Sequence, residues 1–79
     1  MLKEFQAMTG TIRVKVPELL REQNQDVQDL IHGTRISQVT AYRLAKGKAD
    51  AITFDVLAAL CQHFQKGVGD ILEFVPEES

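Results

Sequence analysis

Residues 26–48 read DVQDLIHGTRISQVTAYRLAKGK, and their pattern indicates two short helices joined by a very short turn. Asp26 is suited to cap the first helix, in which three apolar residues recur at the spacing of a buried face: Val27, Leu30 and Ile31. Ser37 is suited to cap the second helix, and Gly47 follows its last residue. Because both of its ends are marked in this way, we expect the second helix to span residues 37–46.

The predicted helix 37–46 has one side suited to a core and one side suited to a ligand. At about 100° per residue, a group of side chains falls within an arc of about 140°: Gln38, Val39, Tyr42, Arg43 and Lys46. The side chains of Ala41, Leu44 and Ala45 point the other way. Amides pair with adenine, arginine with guanine, and apolar side chains with the thymine methyl group. A second helix that presents such groups outward is typical of the helix-turn-helix motif, which enters the major groove of DNA.

Positive charge is concentrated in this segment although the formal net charge of the chain is -2. No Asp or Glu lies among the basic residues Arg35, Arg43, Lys46 and Lys48. The local patch, and not the net charge, meets a phosphate backbone. On charge alone, a solvated helix end explains the pattern as well as a DNA-binding surface does. Arg43 has no acid three or four residues away in its helix, so an intrahelical ion pair is not available and a DNA contact is favoured.

The rest of the chain predicts further short elements. The alternation in residues 12–16, IRVKV, is that of a half-exposed strand, and Pro17 favours the start of a short helix. Thr53 is suited to cap a longer helix with an apolar stripe: Phe54, Leu57, Ala58, Cys61 and Phe64. Residues 68–75, VGDILEFV, predict a short helical turn followed by a partner strand near residues 73–75.

Length and composition indicate one small domain. The chain has 79 residues, enough for a single core. We expect a domain over residues 11–76, a tail or a short helix over residues 1–10, and a disordered tail over residues 77–79. No apolar run is long enough to span a bilayer, and the N-terminus lacks the apolar run of a secretory signal. We therefore expect a cytoplasmic protein without a membrane partner.

The composition also argues against a metal site and against an enzyme. Cys61 has only His32 and His63 as further soft ligands, and no paired-ligand motif is present, so we expect no metal and no cofactor. We expect both histidines to face solvent. Ser37, His32 and Asp29 contain the groups of a catalytic triad, but nothing in the sequence positions an oxyanion hole.

Residues 26–48, together with ITFDVLAALCQHFQKGVGDILEFVP at residues 52–76, resemble the Cro and phage-repressor (lambda-repressor-like, XRE) helix-turn-helix family. The resemblance covers residues 12–76. It rests on the spacing I-S-Q-x-T-x-x-R-L-x-x-G-K around the second helix of the motif and on the ending VGDILEFVP. It implies an all-α fold of five helices, with a short N-terminal strand as an open alternative.

The resemblance also implies roles for residues in and around helix 37–46. Three positions match those that contact bases: Gln38, Val39 and Arg43. Three match positions that contact either bases or backbone: Ser37, Thr40 and Tyr42. Three more lie where backbone contacts are expected: Arg35, Lys46 and Lys48. The implied function is that of a sequence-specific regulator of transcription, a repressor, that binds double-stranded DNA.

Assembly and partners leave alternatives open. Proteins of this size usually bind two half-sites about one helical turn apart, so we expect a homodimer built on residues 11–16 and 71–76, where strand edges and apolar side chains are available. The rival function is a protein-interaction module, or an antitoxin that binds a partner protein and its own operator.

The sequence departs from the family pattern at several positions. Arg35 and Gln65 stand where a glycine is usual, and a left-handed conformation there costs about 1 kcal/mol relative to glycine. Gly33 and Gly67 lie two residues away from them, so shifted turns are the alternative. A large residue in one helix and a small one in the other, Ile31 and Ala41, reverse the usual sizes and conserve core volume. Val27 stands where relatives often have a phosphate-binding Gln, which predicts one lost backbone contact.

Overall fold

The structure, a computed structural model, describes residues 10–77. Its elements in chain order are β1 (Gly10–Val14), α1 (Val16–Glu22), α2 (Val27–Thr34), α3 (Gln38–Ala45), α4 (Phe54–Phe64), α5 (Val68–Ile71) and β2 (Leu72–Pro76). The prediction of five helices is confirmed, but the fold is not purely all-α because β1 and β2 pair as a two-stranded antiparallel sheet. The expectations for residues 1–9 and 78–79 fall outside the described residues, and Gly10 belongs to β1.

The first strand ends, and the first helix begins, earlier in the sequence than the alternating pattern predicts. β1 ends at Val14, whereas the prediction extended it to residue 16. Val16 is fully buried and begins α1, with Pro17 in the first helical turn. Proline is tolerated there because the first backbone N–H groups of a helix have no partner within the helix.

One core joins all five helices. Its fully or nearly fully buried side chains are Val16, Leu19, Leu20, Leu30, Ala41, Leu44, Leu60, Phe64 and Ile71. Burial of one such leucine contributes about 1.5–3 kcal/mol. Ala41 is fully buried, and Ile31 is partly buried against the same core. The core therefore holds a small residue at position 41 together with a large one at position 31.

Three predicted helix caps are confirmed. Asp26 and Asp29 form a capping box, in which each carboxylate accepts a hydrogen bond from the backbone N–H of the other, at 3.1 and 3.0 Å. Ser37 Oγ accepts from the N–H of Thr40 at 3.2 Å. Thr53 Oγ1 accepts from the N–H three residues further on, at 3.1 Å. Such caps contribute about 1 kcal/mol each because they satisfy free N–H groups of the first helical turn.

The turns after α2 and α4 are not shifted toward the nearby glycines. Arg35 and Gln65 themselves adopt left-handed conformations, with φ of 64° and 58°. Gly33 lies inside α2, and a Cβ added to it would overlap the imidazole of His63. The imidazole of His63, a residue of α4, therefore occupies the space that a side chain at position 33 would need.

The sheet has one apolar face and one charged face. Ile12 lies opposite Phe74, and Val14 lies opposite Leu72. Val14 and Leu72 pack against the core, whereas Ile12 and Phe74 are 60% and 51% exposed, so the apolar face continues beyond the core. These four residues are called the ribbon face below.

On the opposite face, Arg13 forms ion pairs with Glu73 and Glu18. Hydrogen bonds to Glu73, which has the larger effect, and to Glu18 raise the pKa of Arg13 above its ordinary value. Backbone hydrogen bonding at the start of α1, together with Arg13, lowers the pKa of Glu18. This charged face ties the sheet to α1.

Candidate nucleic-acid interface

The turn between α2 and α3 is held by a set of local hydrogen bonds. The N–H of Arg35 donates to the carbonyl of Ile31 at 2.9 Å as the chain leaves α2. Thr34 Oγ1 donates to the carbonyl of Leu30 at 2.7 Å and accepts from the N–H of Ile36 at 3.3 Å. Together with the Ser37 cap, these bonds fix the angle at which α3 follows α2. The arrangement is a helix-turn-helix motif.

α3 has the two sides that its sequence predicts. Ala41 and Leu44 are fully buried, and Ala45 is half-buried. On the other side Val39 is 68% exposed and Tyr42 is 41% exposed. Gln38 and Arg43 are also exposed, and we call the group Gln38, Val39, Tyr42 and Arg43 the recognition face. Because the buried side belongs to the core, the recognition face is presented on a fixed support.

Ser37 and Thr40 take part in the cap of α3. Besides accepting from the backbone of Thr40, Ser37 Oγ donates to Thr40 Oγ1 at 2.9 Å. Thr40 is half-buried and Ser37 is exposed. Both hydroxyl groups therefore have a structural role in the free protein, and their contact with DNA stays a prediction.

Two lysines lie where α3 ends. Lys46 is the last residue of the helical turn, Gly47 has a φ of 71°, and the N–H of Lys48 donates to the carbonyl of Arg43 at 2.8 Å. With the bond from Gly47 N–H to the carbonyl of Leu44 at 3.0 Å, this is a Schellman motif. Lys46 and Lys48 are exposed on this turn, as is Arg35 on the turn before α3. Basic residues therefore flank the recognition face at both ends of α3.

Arg43 has an acidic neighbour that the sequence pattern did not reveal. Nη1 of Arg43 lies 3.9 Å from Oδ2 of Asp50, a residue of the loop between α3 and α4. Arg43 has no acid three or four residues away in its own helix, as the sequence shows, but it does have an acidic neighbour in the loop. The loop folds back on α3, and it forms a recess lined by Val39, Thr40, Arg43, Ala49, Asp50 and Ala51.

His63 also differs from its prediction. His32 is exposed as expected, whereas His63 is half-buried. Its Nε2 donates to Oε1 of Gln25 at 2.7 Å, and its ring packs edge-on against Phe64 with centroids 4.8 Å apart. The Gln23 side chain in turn donates to the carbonyl of Phe64 at 3.0 Å. These contacts hold α4 against the loop between α1 and α2, and so support the helix-turn-helix motif from behind.

The side chains that the sequence offered as metal ligands or as a catalytic triad include several with structural roles in the described residues. Among residues 10–77, no group of three or more His, Cys, Asp or Glu side chains is placed to hold a metal ion. Ser37 and Asp29 are engaged in the caps of α3 and α2. Cys61 is half-buried and packs against the core. In the same range, no helix is both long enough and apolar enough to cross a membrane.

Comparison with known families agrees with this geometry. Residues 15–77 match the family described as the Cro/C1-type HTH DNA-binding domain. The match spans most of the chain and includes α1 to α5 and β2. The chain therefore belongs to the family of Cro/C1-type helix-turn-helix DNA-binding domains. No curated protein and no solved structure matches it significantly.

Proposed function

We propose that this protein is a sequence-specific regulator of transcription that inserts α3 into the major groove of double-stranded DNA. The observation that supports this most directly is the division of α3 into a fully buried side, Ala41 and Leu44, and an exposed recognition face. A helix held on the core in this way can enter a groove without rearrangement. Repression is the simpler mode of action, because it requires only that the protein occupy a site on DNA. The proposal includes a cytoplasmic location, as the sequence predicts.

The chemistry of the recognition face assigns each proposed contact. The Gln38 amide suits adenine, the Val39 methyl groups suit the thymine methyl, and the Arg43 guanidinium suits guanine. Tyr42 and the cap residues Ser37 and Thr40 lie beside them and reach either base edges or backbone. Flanking cations at Arg35, Lys46 and Lys48 contact phosphates, which fix the orientation of the protein but contain no sequence information.

A homodimer is part of this proposal, with the second copy packed on the ribbon face. Ile12 and Phe74 expose apolar surface there, and within residues 10–77 each strand pairs with one other strand only. Next to them, a groove of about 480 Å³ is lined by Thr11, Ile12, Val14, residues 49–52 and Leu72. Of the segments expected in the interface, Val16 and Ile71 are excluded because both are fully buried in the core.

The rival function, a protein-interaction module or an antitoxin with a partner protein, is favoured by a separate observation. Phe54 is 88% exposed at the start of α4, and Val68 is 53% exposed at the start of α5. Each of these side chains offers apolar surface that a partner protein could cover, as this rival function requires. An antitoxin that also binds its own operator would use both this surface and the recognition face.

Selection of bound sequences from a random pool of duplexes tests the proposal. An enriched motif, with two half-sites about one helical turn apart, is the expected result. No enrichment, even at low salt where phosphate contacts are strongest, would favour the protein-interaction module. Sedimentation of the free protein and of its complex would then report whether one or two copies bind each duplex.

A further inference from the structure

The loop between α3 and α4 places a carboxylate beside the recognition face. Asp50 is the one acidic residue in the sequence between Asp29 and Asp55, and its Oδ2 lies 3.9 Å from Nη1 of Arg43. This separation is too long for a hydrogen bond, so the contact is Coulombic. The side chains of Arg43 and Asp50 are 59% and 90% exposed, which leaves the contact easy to exchange for another partner.

We propose that Asp50 is a positioning residue that determines specificity, by orienting Arg43 toward guanine and weakening its attraction to phosphate. This inference rests on the proposed role of α3 in DNA recognition. A guanidinium has its N–H donors in a planar fork, and the contact through Nη1 leaves the edge formed by Nε and Nη2. That edge matches the O6 and N7 acceptors of guanine, which accept two parallel hydrogen bonds.

The charge of Asp50 acts against phosphate at the same time. A phosphate attracts an arginine from any direction and at any sequence, which is the source of non-specific binding. A carboxylate beside Arg43 partly neutralises this attraction and repels the phosphate itself. A guanine edge has no net charge, so it loses less from the nearby carboxylate. The pair therefore lowers the affinity for all DNA, but lowers it least where Arg43 meets guanine.

Arg43 is the cation that shares a recess with Asp50. Both side chains line one recess of about 340 Å³, whose other lining residues are uncharged: Val39, Thr40, Ala49 and Ala51. Lys46 and Lys48 do not line it. The influence of Asp50 on the choice of sequence should therefore depend on Arg43.

A double-mutant cycle tests whether the effect of Asp50 on the choice of sequence depends on Arg43. Binding of the wild type, Asp50→Asn, Arg43→Ala and the double variant is measured by fluorescence anisotropy on a selected duplex and on a scrambled duplex of equal length and composition. Asp55→Asn is the matched control, because it removes the same charge only five residues further along the chain. Asp50→Ala is measured as well, because an asparagine could itself contact a base.

Both Asp50 variants should tighten binding to the scrambled duplex by about three- to fivefold and to the selected duplex by less than about twofold. Discrimination between the two duplexes then falls by about 1.5- to fivefold. In the Arg43→Ala background, neutralising Asp50 should leave discrimination unchanged. Equal tightening on both duplexes, as expected for Asp55→Asn, would overturn the proposal, and so would the same loss of discrimination without Arg43.

A measurement without DNA separates this inference from the proposed function. NMR relaxation of the Arg43 Nε–H group in the free protein should show faster motion in Asp50→Asn than in the wild type. Identical relaxation in the two proteins would refute the orienting role even if both bind DNA. A wild type that binds neither duplex would instead refute the proposed function, and the recognition role of Asp50 with it, whatever the relaxation shows.

Discussion

The close contact between Gly33 and the imidazole of His63 predicts that Gly33→Ala destabilises the protein. The same substitution should stabilise the protein once the imidazole is removed. Alanine at position 33 would place its methyl group on Cε1 and Nδ1 of the His63 ring. The ring cannot move freely, because Nε2 is bonded to Gln25 at 2.7 Å and the ring packs edge-on against Phe64. Gly33→Ala must therefore either displace the ring or push α2 away from α4.

The expected cost follows from these contacts. Overpacking of this kind costs about 1–3 kcal/mol, and loss of the Gln25 hydrogen bond adds about 0.5–1.5 kcal/mol. Alanine is favoured over glycine in a helix by about 1 kcal/mol, which opposes the cost. We expect a net loss of about 1–3 kcal/mol in the free energy of unfolding. For a domain of this size that lowers Tm by about 5–20 °C.

The background variant His63→Ala reverses the expected sign. Without the imidazole, Gly33→Ala meets no overlap with that ring, and the helical preference for alanine should raise stability by about 0.5–1 kcal/mol. Gly69→Ala is the matched control, because it lies in α5 and an added Cβ there meets no atom within 4 Å. Stability is measured by urea denaturation of the wild type, Gly33→Ala, His63→Ala, the double variant and Gly69→Ala. If Gly33→Ala is neutral or stabilising while His63 is present, the reasoning that the imidazole leaves no room for a side chain at position 33 is refuted.

Three further predictions concern strain, recognition and assembly. Gln65→Gly should raise the free energy of unfolding by about 0.5–1 kcal/mol, since Gln65 has a φ of 58°, and denaturation showing no gain would contradict this strain. Arg43→Ala should weaken binding to the selected duplex by about 1–3 kcal/mol and relax the preference at one base pair. Lys46→Ala should weaken binding to all duplexes alike and make its salt dependence shallower, and equal losses for both variants with the preference intact would show that Arg43 contacts only phosphate. Phe74→Glu should shift the sedimenting species from dimer to monomer, whereas a wild type that is a monomer at high micromolar concentration would remove the basis for the ribbon-face dimer.

Much of the helix-turn-helix motif could be predicted from the sequence because its determinants are local. Asp26, Ser37 and Thr53 cap helices through bonds to residues only three positions away, so the pattern of residue types is sufficient. The two sides of α3 follow from its helical period in the same way, and Ala41 and Leu44 are buried as that period predicts. The proposed contacts with DNA rest on this part of the molecule.

Features that join distant parts of the chain required the tertiary structure. The loop after α3 brings Asp50 to Arg43, and α4 brings His63 to Gly33. Neither contact has a fixed spacing along the chain, because each depends on how a loop or a helix packs against the core. Residue types showed that Arg43 lacked a partner within its own helix, but only the packing shows which carboxylate lies beside it. The same reason explains why Gly33 was open to interpretation as a turn residue until the position of α4 was known.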